Sequence, residues 1–82
     1  MEQFNLEHQY QLYLKRMDLH EYKMHPQQKK QLRETFMGAS GQLIILLRDE
    51  VSKLPEDEGV ETMQDMLNQV ADYFLGATNK QN

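Results

Sequence analysis

The chain of 82 residues contains no cysteine, only two prolines and four glycines, and no apolar run longer than Leu43 to Leu47. Without thiols there is neither a disulfide framework nor a thiolate metal site. Helix packing or self-association must therefore supply the stability that covalent staples give other small proteins, and a reducing compartment fits. The opening MEQFNLEHQY alternates apolar with polar residues, so no signal peptide is expected there, and no segment reaches the length needed to span a membrane. A single domain of this size buries only roughly 60% of the surface its unfolded chain exposes, which leaves a thin stability margin.

Charge is unevenly spread. The net charge is -4, which disfavours nonspecific binding to nucleic acid. Between Lys15 and Arg33, however, Lys15, Arg16, Lys23, Lys29, Lys30 and Arg33 outnumber Asp18 and Glu21, leaving +4 in that segment and -8 elsewhere. The protein is expected to be electrically polarised.

Apolar spacing predicts an all-α fold in one domain of three helices over residues 1–82. Leu6, Tyr10, Tyr13, Leu14 and Met17 recur at steps of three and four, predicting a short first helix over residues 5–17. Residues 18–25 lack periodicity and form a connector up to Pro26, a good first helical residue. Leu32, Phe36, Ala39, Leu43 and Leu46 then alternate steps of four and three, a coiled-coil-like seam on a second helix over residues 26–53. The chain turns at Leu54-Pro55. Glu56, Asp57 and Glu58 suit the positive end of a third helix over residues 55–75, which carries Val60, Met63, Leu67, Val70 and Phe74. Gly76 is expected to end it, with residues 77–82 a frayed polar tail.

So short a turn predicts a long antiparallel hairpin, with Leu46 facing Met63, Leu43 facing Leu67, Ala39 facing Val70 and Phe36 facing Phe74. Helix 1 is expected to dock on the first turns of helix 2, which overhang its partner. The back of helix 2 is also apolar. Gly38 and Gly41 each cost about 1 kcal/mol relative to alanine inside a helix, so either the helix breaks there or another helix approaches closely. Met37, Gly38, Gly41, Ile44 and Ile45 are accordingly the candidate self-association face, with a dimer as the default assembly.

Two further features bear on function. Tyr10, Tyr13, Lys23, Lys29, Lys30 and Arg33 form a candidate anion site, since lysine and arginine bind phosphate and tyrosine stacks on bases. The ordinary alternative is a solvated helix face. His8, His20 and His25 have no metal-ligand spacing, and no cofactor is expected. Ser40 between two glycines is not a strand-to-helix nucleophile elbow, and a small hairpin offers little cleft, so no catalysis is expected. The six methionines read as adaptable packing.

At Lys23-Met24-His25-Pro26, at Gly38 to Glu50 (GASGQLIILLRDE) and at Glu61 to Val70 (ETMQDMLNQV), the chain resembles a group of short uncharacterised proteins of bacteriophages and mobile elements. That resemblance covers most of the chain. It implies action in the cytoplasm of a bacterial host and brings no function with it. In architecture alone the chain is also similar to phage sponge proteins, oligomers that sequester cyclic nucleotides and blunt bacterial defence signalling. It departs from them in the third helix, which lacks their basic and aromatic pattern, so no site residue is carried over. The expected function is a non-catalytic, self-associating interaction module that occupies a host or phage protein. The alternative is an oligomeric sponge for a small anionic ligand held at the basic end.

Overall fold

The computed structural model describes residues 1–79, without the side chains of residues 77–79. Three α-helices, α1 (Leu6–Arg16), α2 (Pro26–Asp49) and α3 (Glu56–Asn79), are joined by short 3-10 turns, and there is no strand among the described residues. The chain divides into two units, Met1–Leu43 and Ile44–Asn82, with the division falling inside α2.

In the first unit α1 begins where its cap dictates. The Asn5 carboxamide oxygen accepts the amide hydrogen of His8 at 3.1 Å, satisfying one of the donors that a helix start leaves without a partner. The helix ends in a Schellman arrangement. Leu19 N–H donates to the Leu14 carbonyl at 2.8 Å and Asp18 N–H to that of Lys15 at 3.2 Å, with Asp18 in the left-handed region at φ 54°. Glycine normally occupies that position, because other residues meet steric strain there. Asp18→Gly is therefore expected to raise stability by up to about 1 kcal/mol, read as a higher melting temperature; a lower one would mean that the Asp18 carboxylate, 3.2 Å from His20 Nε2, outweighs the strain.

The buried centre of this unit is aromatic. Tyr10 is wholly inaccessible and Leu14 is 4% exposed. The Phe36 ring of α2 meets Tyr10 edge-on at 5.2 Å and Tyr13 at 5.6 Å, separations at which aromatic pairs attract beyond simple burial. Tyr10, Tyr13 and Leu14 stand three and four residues apart on α1, so a single face of a short helix carries the contact. Phe36, expected in the hairpin seam, thus belongs to this cluster. Between α1 and α2, the connector contains a 3-10 turn at Glu21–Lys23 that is closed by Lys23 N–H to the His20 carbonyl at 3.0 Å.

The second unit contains the end of α2, the turn and α3. Helix α2 stops at Asp49, not at residue 53, because its final carbonyls find other donors: the Ser52 hydroxyl donates to the Arg48 carbonyl, and Val51–Lys53 form a 3-10 turn. That turn places Val51, only 9% exposed, over the start of α3. A methyl group at Gly59 would lie 3.7 Å from the Val51 carbonyl oxygen and 3.9 Å from its Cγ1. The acidic residues Glu56, Asp57 and Glu58 occupy the first turn of α3 as expected. Gly76 does not end α3, which continues to Asn79; no glycine has positive φ, so nothing reverses the chain there. The helix thus takes in residues 77–79 of the expected tail, and residues 80–82 lie outside the described residues. Gly38 and Gly41 do not break α2, which is helical throughout Pro26–Asp49.

Candidate functional site

The most organised polar group is centred on Arg33. Its Nε donates to Glu21 Oε2 at 2.9 Å and its Nη2 to Glu21 Oε1 at 3.1 Å, while Nη1 and Nη2 reach the two oxygens of Glu7 at 2.7 and 3.2 Å. One planar guanidinium therefore grips two carboxylates, one from α1 and one from the connector, a geometry that lysine cannot reproduce. The same guanidinium lies 4.8 Å from the centre of the Tyr10 ring, and the Tyr10 hydroxyl donates to Glu21 Oε2 at 3.3 Å. Hydrogen bonds from Arg33 hold both carboxyls below their ordinary range, with Gln11 assisting at Glu7 and the Tyr10 hydroxyl at Glu21. Burial, then the neighbouring Glu21 charge, pushes the Tyr10 phenol up.

The sign of the resulting pH dependence follows directly. A carboxyl whose folded pKa lies below its unfolded value contributes stability that is present above the unfolded value and lost as pH falls through the folded one. The clasp should therefore be intact at neutral pH and loosen as pH drops below about 4.3, the unperturbed glutamate value. A melting temperature measured down through that range should fall less steeply in Glu7→Gln and Glu21→Gln than in the parent. Equal slopes would show that the clasp does not couple to folding.

The six residues of the expected anion site are placed very differently. Tyr10 is buried, and Arg33, its side chain 35% exposed, is hydrogen-bonded to Glu7 and Glu21. Tyr13 is partly covered against Phe36. Lys23, Lys29 and Lys30 are exposed. The Lys23 ammonium lies 5.8 Å from the centre of the Tyr22 ring, Lys29 acts on the Glu21 carboxyl through its charge, and Lys30 lines a depression of about 410 Å³ together with Glu34. A larger depression of about 510 Å³, over Leu14, Lys15, Asp18, Leu19 and Tyr22, contains none of the six. Among the described residues no group of three or more histidines and carboxylates could hold a metal ion, and no helix is long and apolar enough to cross a membrane.

The apolar faces of α2 and α3 are the other candidates. On α2, Met37 and Gly41 are half-buried, while Gly38, Ile44 and Ile45 are exposed; a methyl group at Gly38 or Gly41 would meet nothing within 4 Å. On α3 the exposure is larger. Val60 is 65% exposed, Met63 50%, Leu67 60%, Val70 51% and Phe74 51%. At about 100° per residue, these five fall within about 60° of Leu67, and Met66, Ala71 and Leu75 extend the apolar arc to roughly half the circumference. Between Gly59 and Asn79 the charged residues Glu61, Asp65 and Asp72 all lie more than about 100° from Leu67. The 3-4 spacing made this stripe legible in the sequence. The pairing of Arg33 with Glu7 and Glu21 escaped sequence reading because these partners lie 26 and 12 residues away. A faint signal existed: Glu7 precedes Tyr10, and Arg33 precedes Phe36, by the same three residues, so ring contact brings the charges together.

No protein-family model, curated protein or solved structure matches this chain.

Proposed function

We propose that this protein is a non-catalytic helical interaction module that acts through the apolar faces of α2 and α3, in a self-associated state. The single observation behind this reading is the α3 arc: five large apolar side chains in line, each half or more exposed. Burying such a side chain completely contributes about 1.5–3 kcal/mol, so five half-exposed ones leave roughly 4–7 kcal/mol unrealised. Monomeric soluble proteins seldom leave a continuous apolar patch of this kind uncovered, and such patches mark interaction sites. The antiparallel hairpin register, with Leu43 facing Leu67, is one way to cover the arc; a second molecule is another. Action on a host or phage protein in a bacterial cytoplasm belongs to the same reading and rests on the resemblance alone.

The stripe of Met37, Gly38, Gly41, Ile44 and Ile45 is the second contact face in this proposal. The Cβ of Gly41→Leu would meet nothing within 4 Å, and the change replaces a poor helix former with a good one. Helix content by circular dichroism is expected to hold while the assembly weakens. An unchanged assembly and an unchanged melting temperature would remove the α2 stripe from the interface.

Native mass spectrometry of the protein purified from a bacterial host tests the reading as a whole. The expected spectrum is an assembly with no added mass. Retained mass of nucleotide size would instead favour the ligand-sequestering function, and charge reversal at Lys29 and Lys30 would then have to abolish it if the basic end is the site.

A further inference from the structure

Resting on the interaction-surface reading, we infer that the occupant of the α3 arc is α3 of a second copy, lying antiparallel across a two-fold axis between Leu67 and Val70. A two-fold interface is isologous, so the patch must match itself when its direction is reversed. Met63, Leu67, Val70 and Phe74 are spaced by four, three and four residues, a pattern that reads the same both ways. Superposed on its own reverse, it forms four layers: Met63 against Phe74 and Leu67 against Val70, each twice. Every layer joins side chains of different shape, and thioether sulfur beside an aromatic ring is a favourable contact. All four residues are at least half exposed in the single chain.

Charge selects the antiparallel sense. The described part of α3 carries Glu56, Asp57, Glu58, Glu61, Asp65 and Asp72 and no basic residue, so two copies repel wherever these groups meet. Parallel pairing would bring both acidic first turns, with Glu56, Asp57 and Glu58, to the same end. Antiparallel pairing separates the two copies of Asp57 by about 35 Å along the axis at ~1.5 Å per residue, several times the ~8 Å screening length at physiological salt. The remaining acids lie on the side away from Leu67 and stay in water. Positions flanking the stripe, Gly59, Gln64, Met66, Ala71 and Tyr73, are uncharged, so like copies approach without repulsion at the contact itself.

The absence of cysteine from the chain allows a direct test by thiol placement. In a protein carrying both Met63→Cys and Phe74→Cys, the two thiols lie about 16 Å apart on one helix and cannot bridge within it. Mild oxidation is expected to give a covalent dimer in which peptide mapping finds residue 63 joined to residue 74. If the double variant fails to fold, Gln64→Cys with Ala71→Cys spares the apolar layers, and its 64-to-71 bonds serve the same purpose. Bonds between identical positions, or an assembly with no bond, would overturn the antiparallel pairing and leave the interaction reading standing. A monomer whose thiols react freely with maleimide would exclude the second copy, and with it the self-associated state, and leave the arc open to a different protein. A monomer whose thiols are shielded would mean that the arc closes within the chain, overturning both.

Discussion

Leu67→Asp is expected to reduce the assembly to single chains while each chain keeps its helix content. Leu67 is 60% exposed within the chain, so a carboxylate there remains hydrated in the monomer and disturbs little. At the centre of a covered arc, the same group is removed from water with no cation nearby, since the charges closest to it on α3 are themselves acidic. Leaving a buried charge without a partner costs about 3–5 kcal/mol, which raises the dissociation constant at least ~100-fold. Sedimentation velocity and circular dichroism on the same samples check the result. Asp65→Asn, on the solvated side of α3, is the control and should leave the assembly unchanged. Loss of helix content in Leu67→Asp would show that the arc is needed for α3 to form.

Tyr10→Ala is the second change with a large expected effect, and it acts on a different property. Tyr10 is fully buried, with edge contact to Phe36 and the Arg33 guanidinium over its face. Removing a buried aromatic side chain costs about 3–5 kcal/mol. A domain of this size has roughly 4–12 kcal/mol in total at about 0.05–0.15 kcal/mol per residue, so Tyr10→Ala should leave α1 largely undocked. Tyr10→Phe isolates the hydroxyl, whose hydrogen bond to Glu21 is long at 3.3 Å; a typical hydrogen bond contributes about 0.5–1.5 kcal/mol net. Denaturant melts should therefore show a large loss for alanine and a small one for phenylalanine. Similar losses for both would mean that the polar clasp, and not the ring, holds the unit together.

These two residues also mark how far the sequence could be read. The helix starts were legible, because they are set by local chemistry: the Asn5 side chain caps α1, Pro26 opens α2, and three acids after Pro55 open α3. The C-terminal ends were less legible. Whether α2 stops at Asp49 depends on whether Ser52 and a 3-10 turn satisfy its last carbonyls, and glycine at position 76 permits a reversal without imposing one. Periodicity revealed the stripe on α3, and the short turn with the matching steps of four and three on helix 2 paired the two in an expected hairpin.

The candidate site shows the same division. The run of basic residues was visible as composition, yet composition treats Arg33 and Lys30 alike. Folding separates them: Arg33 is consumed by Glu7 and Glu21, whereas Lys30 stays exposed beside Glu34. Pairing over long sequence distances decides which charges remain available to a ligand, and no local pattern encodes it. Within the first unit the paired arginine ties α1 to α2 and to the connector.

The most direct test of the central claim is sedimentation equilibrium of the unmodified protein across micromolar concentrations. If the α3 arc takes a second copy, the weight-average mass rises with concentration from the single-chain 9.8 kDa toward twice that value. A mass fixed at 9.8 kDa throughout would contradict it.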